Sequence, residues 1–157
     1  MTEKNIRIDY LEFSSMEELA PEDRELALAA VQAIEGSYAP YSGFNVGAAA
    51  RLSNGRIVIG ANQENAAFPS GLCAERTAMF SAGASYPGED ILSIALAAGS
   101  DGSLTHDPAT PCGACRQVMA QYQSKSGKPM SVIMVGSGKI WKFEKVDDIL
   151  PLIFDSI

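Results

Sequence analysis

The sequence predicts one α/β domain with a mixed sheet, on three observations. Segments with strand character alternate with segments of helical periodicity along the 157 residues. An Asn-Gly pair at 54–55 separates two apolar segments, which is typical of an antiparallel hairpin. A nearly uninterrupted apolar segment over 91–98 is typical of a strand buried on both faces of a sheet. We therefore expect an antiparallel hairpin followed by parallel crossovers.

The N-terminal segment predicts a strand and then a helix. Apolar and charged residues alternate over 6–10, which indicates a half-buried strand that continues to about Phe13. Apolar residues recur at helical spacing over 21–35, with Pro21 in the first turn and Gly36 at the end, so this segment is predicted to be a helix.

The middle of the chain contains the hairpin and a second helix. A turn-rich aromatic loop covers 38–43, and the hairpin strands are predicted over 44–52 and 56–61. After an irregular segment, a helix is predicted to open near Cys73 and to run to about Gly83.

The second half continues the alternation after the buried strand. A loop rich in Gly, Ser, Asp and Pro over 99–110 leads into a helix that opens at Cys112 and ends at the SGKP segment 126–129. The remaining predicted elements are a strand over 130–135, a short strand over 140–143 and a turn over 146–154.

Composition limits the size of the protein and the class of its partners. A chain of 157 residues with 46% hydrophobic residues can bury one core, so a single domain over 1–157 is expected. The net charge of −7 and the dispersed basic residues argue against a nucleic-acid partner. Neither a signal peptide nor an apolar run of about 18 residues is visible, so we expect no membrane partner, a cytoplasmic location and a small-molecule substrate.

Three cysteines are placed to bind one metal ion. Cys112 and Cys115 lie three positions apart at the start of one predicted helix, and Cys73 opens the preceding helix. Helix starts lower the pKa of a thiol, which favours the thiolate that a metal needs. Structural zinc sites use four protein ligands, so three ligands point to a catalytic site that keeps a position for water.

Glu75 and Arg76 follow the first cysteine closely. Three thiolates outweigh the charge of Zn²⁺, and Arg76, one helical turn from Cys73, is a candidate to offset the excess. Zinc in an open site lowers the pKa of a coordinated water to about 7. Glu75 is then the candidate that takes the proton.

The segments CAERT at 73–77 and PCGACRQ at 111–117 resemble the cytidine deaminase family, whose zinc signature they contain. The resemblance extends to YSGFNVGAA at 41–49, to GANQENAA at 60–67, and to Leu150 and Pro151 followed by Phe154, and it covers roughly residues 20–155. Cysteine as the first ligand is similar to the short, homotetrameric branch of the family. That branch implies a three-layer α/β/α sandwich with a mixed five-stranded sheet, to which residues 1–20 would add an N-terminal extension with an extra strand.

The resemblance implies the roles of the metal site. One Zn²⁺ per chain would be bound by Cys73, Cys112 and Cys115. Glu75 would be the proton shuttle, and Arg76 would partly neutralise the thiolates.

The resemblance also implies the substrate contacts. Phe44 would stack on the pyrimidine, and the amide of Ala74 would meet the base carbonyl. Asn62 and Glu64 would bind the ribose hydroxyls. The residues expected at sites shared between subunits are Phe68, where relatives often carry tyrosine, and Phe154.

The activity that the resemblance implies is hydrolytic deamination of cytidine and deoxycytidine with release of ammonia, in pyrimidine salvage. Alternatives are a deaminase of a modified nucleoside or of a nucleoside antibiotic such as blasticidin S, a polynucleotide deaminase, and a non-catalytic zinc or redox module. Acidity opposes the polynucleotide substrate, and Glu75 opposes the non-catalytic module. His106 could close a four-ligand structural site, Phe44 could belong to the core, and Asn62 and Glu64 could simply end a strand.

Overall fold

Seven strands form one mixed sheet in the computed structural model, which describes residues 1–155. The strands are β1 (Leu11–Phe13), β2 (Asn45–Leu52), β3 (Ile57–Ala61), β4 (Ile91–Ser100), β5 (Ser103–Leu104), β6 (Ser131–Val135) and β7 (Ile140–Phe143). The helices are α1 (Pro21–Ala33), α2 (Ala74–Ser85) and α3 (Gly113–Ser126). Short 3-10 turns cover Met16–Glu18, Ile34–Gly36, Phe68–Ser70 and Val146–Asp148.

The strand order is β1-β7-β6-β4-β2-β3, with the short β5 paired to β4. The hairpin of β2 and β3 is antiparallel and turns at Asn54 and Gly55, where the φ of Gly55 is 84°. Among the described strands only β4 and β6 pair in parallel, and α3 connects them. The sequence-based expectation of an antiparallel hairpin with a parallel crossover is therefore confirmed.

The sheet separates two cores, which confirms the three-layer arrangement. On one face α1 packs with Ala49, Ala95 and Ala97, and on the other face α2 and α3 pack with alternate residues such as Ala48 and Leu96. Neighbouring strand residues point to opposite faces, so β2 and β4 contribute to both cores. Continuous apolar segments are the sequence pattern of such strands.

Glycines let two helices approach the sheet closely. A Cβ at Gly47 would lie 2.2 Å from the carbonyl oxygen of Ala30 in α1, and a Cβ at Gly60 would lie 2.4 Å from the amide nitrogen of Ala78 in α2. No side chain fits at these distances, so glycine is required for α2 to lie where it does. This contact helps to place the N-terminus of α2, and with it Cys73.

The N-terminal strand is shorter than the sequence pattern predicts, and the sheet is wider. Leu11 pairs with Lys142 and Phe13 with Ile140, so pairing stops one residue before the end of β7. Tyr10 instead packs its ring on Phe143, with centroids 5.2 Å apart. The expected five strands correspond to β2, β3, β4, β6 and β7, and the additions are β1 on the β7 edge and β5 within the predicted loop. Within residues 1–155, no helix is long and apolar enough to cross a membrane.

Candidate metal centre and active site

The N-termini of α2 and α3 lie at one edge of the sheet. Strands β3, β4 and β6 run in the same direction, α2 follows β3, and α3 follows β4. Ligand sites of α/β proteins form at the carboxyl ends of such strands, where the helices begin. Cys73 is the residue directly before α2, and Cys112 is the residue directly before α3.

Three sulfur atoms meet between these two helix ends. The Sγ atoms of Cys112 and Cys115 are 3.5 Å apart, those of Cys73 and Cys112 are 4.0 Å apart, and all three lie within 4.8 Å of one another. Zn–S bonds of about 2.3 Å at tetrahedral angles place sulfurs about 3.8 Å apart. The spacing and the thiolate chemistry therefore fit one zinc ion with a position left open.

Electrostatics favour a thiolate at Cys73. A hydrogen bond from Cys115 and the guanidinium of Arg76, whose Nη2 is 3.4 Å from Sγ, lower the pKa of Cys73 to about 5 although burial opposes the shift. The neighbouring Cys73 sulfur and burial raise the pKa of the Cys115 thiol. Contact with the Cys73 sulfur raises the pKa of Arg76 further. Arg76 thus lies in direct contact with the Cys73 sulfur.

Glu75 is buried beside the sulfurs. As the second residue of α2 it is only 4% exposed, and burial raises the pKa of its carboxyl group. Ala74, the first residue of the helix, is fully buried. Its amide has no acceptor within the helix, because the first turn of a helix leaves its N–H groups unpaired.

A cavity of about 520 Å³ opens next to Cys73 and Arg76. This volume is in the range of small-molecule sites. The residues that line it are Tyr41, Ser42, Asn62, Gln63, Glu64, Asn65, Phe68, Gly71, Leu72, Cys73 and Arg76.

Asn62 and Glu64 form one wall of this cavity and also hold the aromatic loop in place. Asn62 Oδ1 accepts from the amide of Val46 at 2.8 Å, and its Nδ2 donates to the carbonyl of Phe44 at 2.9 Å. Glu64 accepts hydrogen bonds from the amides of Tyr41, at 2.8 Å, and Ser42. These residues do more than end a strand, because they connect the loop after β3 to the loop before β2.

Of the three aromatic residues expected at the site, only Phe68 lines the cavity. Phe68 borders the cavity and is 73% exposed, with its ring edge-to-face against Tyr41 at 5.7 Å. Phe44 is exposed and bonds to Asn62 through its carbonyl, but it is not among the residues that line the cavity. Phe154 is 68% exposed, also lies outside the lining, and its carbonyl accepts from Gln117 at 2.6 Å.

His106 is not part of the metal centre. Its side chain is 82% exposed and pairs with Asp107, and within residues 1–155 the cysteine cluster holds only the three cysteines. The four-ligand structural site considered from the sequence therefore lacks its fourth ligand.

The sequence alone did not identify three polar residues that support the site. Arg116 donates to the carbonyls of Pro111 at 2.8 Å and Ile149 at 2.9 Å, which ties the loop before Cys112 to the C-terminal turn. The hydroxyls of Ser37 and Ser42 bind the side chains of Asn62 and Glu64. A polar residue in a motif gives no sign of its partner, so the positions of Ser42 inside YSGFNVGAA and of Arg116 inside PCGACRQ hinted at a role without identifying the contact.

Comparisons with known proteins agree with this geometry. The profile of the cytidine and deoxycytidylate deaminase zinc-binding region matches residues 20–128. A cytidine deaminase from Halalkalibacterium halodurans is 48% identical over 100 residues, which are 63% of this chain and 71% of that protein. A cytidine deaminase from Mycobacterium tuberculosis is 43% identical over 93 residues, which are 59% of this chain and 65% of that protein.

Solved structures give the same result over a longer alignment. The crystal structure of cytidine deaminase from Burkholderia pseudomallei has a TM-score of 0.71 and 42% identity, and the match covers 83% of this chain and 97% of that one. That of cytidine deaminase from Mycobacterium tuberculosis has a TM-score of 0.66 and 33% identity over 84% of this chain and 96% of that one. In sequence and in fold, this chain belongs to the cytidine and deoxycytidylate deaminase family.

Proposed function

We propose that this protein is a zinc-dependent hydrolase that deaminates cytidine and deoxycytidine to uridine and deoxyuridine and releases ammonia. The observation that carries the proposal is the placement of the buried Glu75 carboxyl beside a three-sulfur cluster that opens on a cavity with a polar wall. The names of the related proteins support the same activity.

Cys73, Cys112 and Cys115 would hold the zinc ion, and Arg76 would offset part of the negative charge of the three thiolates. When bound in an open site, zinc lowers the pKa of a coordinated water to about 7. Metal-binding groups other than these cysteines are absent from the cluster within the described residues 1–155.

Glu75 would move the protons of the reaction. Its carboxylate accepts a proton from the attacking water and delivers it to N3 of the base as C4 is attacked. It would then take the proton of the new C4 hydroxyl group and deliver it to the amino group, so that the C4 carbonyl forms as the C4–N bond breaks and ammonia leaves. Burial raises the pKa of this carboxyl group, which makes its protonated form easier to reach and suits a residue that acts first as a base and then as an acid.

The cavity would bind the nucleoside through its base and its sugar. The amide of Ala74 would meet the base carbonyl, Phe44 would stack on the ring after substrate binding, and Asn62 and Glu64 would bind a sugar hydroxyl. Phe68 would border the far end of the sugar.

The charges of the cavity favour a nucleoside over a nucleotide, although the family description includes deoxycytidylate deaminases. Arg76 is the only cation among the lining residues, and it is engaged by the sulfur of Cys73. Glu64 would repel a phosphate group. The proposed substrate is therefore uncharged, in keeping with pyrimidine salvage in the cytoplasm.

The proposed active form is a homotetramer with shared sites. Leu152 and Phe154 expose apolar side chains after Pro151, outside the cavity of their own chain. In a tetramer the Phe154 ring would complete the site of a neighbouring subunit, whereas Phe68 already borders the cavity of its own chain.

The direct test combines metal analysis with ultraviolet absorbance assays. Freshly purified protein should contain about one zinc per chain and convert cytidine and deoxycytidine, while deoxycytidine monophosphate should react at least about 100-fold less efficiently. Turnover of blasticidin S without turnover of cytidine would favour the antibiotic deaminase. Zinc without any turnover of these compounds would favour the non-catalytic module.

A further inference from the structure

Two serine hydroxyls support the polar wall of the cavity from the opposite loop. Ser37 donates to Asn62 Oδ1, and Ser42 donates to Glu64 Oε1. Both serines lie between α1 and β2, whereas Asn62 and Glu64 follow β3. The bonds therefore join segments that are 22 to 25 residues apart in the chain.

The direction of the Ser42 bond follows from its neighbours. The amide of Phe44 donates to Ser42 Oγ at 3.0 Å, so the hydroxyl proton is free to point at the Glu64 carboxylate. The other carboxylate oxygen, Oε2, accepts from the amides of Tyr41 and Ser42. These bonds lower the pKa of Glu64, with the Ser42 side chain as the largest cause.

The network leaves a defined set of unused groups. Asn62 Oδ1 already accepts from the Val46 amide and the Ser37 hydroxyl, and Nδ2 already donates to Phe44, so Asn62 keeps one free N–H. Glu64 Oε1 accepts from one donor and keeps one acceptor position. The wall thus offers one donor and one acceptor, which a single hydroxyl group can satisfy together.

We propose that Ser42 is a positioning residue that aims the Glu64 carboxylate at a sugar hydroxyl of the nucleoside, an inference that rests on the proposed function. The two backbone amides hold only Oε2. Because the terminal torsion of glutamate is broad, these two bonds restrain the carboxylate without fixing the direction of Oε1. The Ser42 hydroxyl holds the second oxygen, and this fixes the direction of the remaining acceptor position.

The first test measures steady-state kinetics with cytidine. Ser42→Ala should raise KM about 5- to 20-fold and leave kcat within about twofold. The expected rise in KM is smaller than the loss of a buried hydrogen bond to a charged group would cause, because this site is exposed to solvent. Ser42→Thr keeps the hydroxyl and should restore KM to within about threefold. The matched control is Ser53→Ala, which removes the same kind of serine-to-glutamate bond, to Glu89, at the other end of β2.

The second test separates positioning from a structural effect. In the parent enzyme, kcat/KM should be lower for whichever of 2'-deoxycytidine and 3'-deoxycytidine lacks the hydroxyl that faces the wall. Ser42→Ala should reduce this difference in kcat/KM between cytidine and that analogue at least about threefold. A carboxylate that no longer points at the hydroxyl forms a weaker hydrogen bond with it, so the loss of the hydroxyl then costs less. An equal loss for cytidine and both deoxy analogues would overturn the proposal, as would unchanged kinetics in Ser42→Ala. If the parent enzyme itself does not turn over cytidine, the proposed function fails first.

Discussion

Glu75 is the residue on which the proposed chemistry depends most directly. It combines near-complete burial with a position two residues after a metal-ligand candidate. Glutamine has the size of glutamate but no acidic group. Because the sulfur cluster does not include the Glu75 carboxylate, replacing Glu75 by glutamine should affect proton transfer and leave metal binding intact.

We predict that Glu75→Gln folds, keeps its zinc and loses at least about 10³-fold in kcat, since glutamine cannot carry a proton and general acid-base catalysis contributes about 10² to 10⁴ per step. The matched control is Glu22→Gln, because Glu22 is likewise the second residue of a helix, α1. The control should keep full activity. A zinc-loaded Glu75→Gln protein within about tenfold of the parent would remove Glu75 from the mechanism.

Among the secondary structure elements, α2 matters most, because its N-terminus holds Cys73, Ala74, Glu75 and Arg76. Its position depends on contact with β3, where Gly60 leaves room for the backbone of Ala78. The loop before α3 is secured differently, through hydrogen bonds from Arg116 to two backbone carbonyls.

Gly60→Ala should therefore push α2 away from the sheet. We expect the free energy of unfolding to fall by about 3 kcal/mol, because overpacking against backbone cannot relax by a side-chain rotation. Zinc content should fall with it. Urea unfolding at fixed protein concentration measures the first effect and metal analysis the second. Gly88→Ala is the control, since nothing lies within 4 Å of a Cβ there. If Gly60→Ala were as stable as Gly88→Ala, the tight contact between β3 and α2 would be contradicted.

At the scale of the whole molecule, the metal would connect the ends of α2 and α3 across the edge of the sheet. Binding that favours the folded state stabilises it by mass action. We predict that chelation of zinc lowers the midpoint of thermal unfolding by at least about 5 °C and abolishes turnover, and that added zinc restores both. Cys112→Ser should bind zinc weakly, so chelation should change its midpoint of thermal unfolding very little. An equal change in the parent protein and in Cys112→Ser would exclude a stabilising role for zinc at this site.

Mixed oligomers would test the proposal that active sites are shared between subunits. A Glu75→Gln chain lacks its proton shuttle, and a Phe154→Ala chain lacks the ring that it would lend to a neighbour. When both chains are co-expressed and co-purified, some sites receive Glu75 from one chain and Phe154 from the other. Activity should then exceed the sum of the two variants measured alone, whereas simple addition of the two activities would indicate sites built by single chains.

Much of the fold was predictable because its signals are local. The helices α1, α2 and α3 and the strands β2, β3, β4, β6 and β7 were predicted within a few residues from periodicity, glycine and proline. The N-terminal strand was overestimated because alternation at 6–10 does not reveal that the partner strand ends at Phe143. The two-residue strand β5 was missed because it depends on pairing with β4 and not on its own residues.

The candidate site also combines features that local sequence predicts with features that depend on distant contacts. The sequence by itself determined the three thiol ligand candidates, the proton-carrier candidate and the family, because these are carried by characteristic residue types within two short segments, 73–77 and 111–117. Tertiary structure alone decided that His106 lies outside the cluster, that Phe154 does not enter its own cavity, and that Ser37, Ser42 and Arg116 support the site. The physical reason is that each of these depends on contacts or distances between residues far apart in the chain, such as the 22 positions between Ser42 and Glu64, which local pattern does not encode.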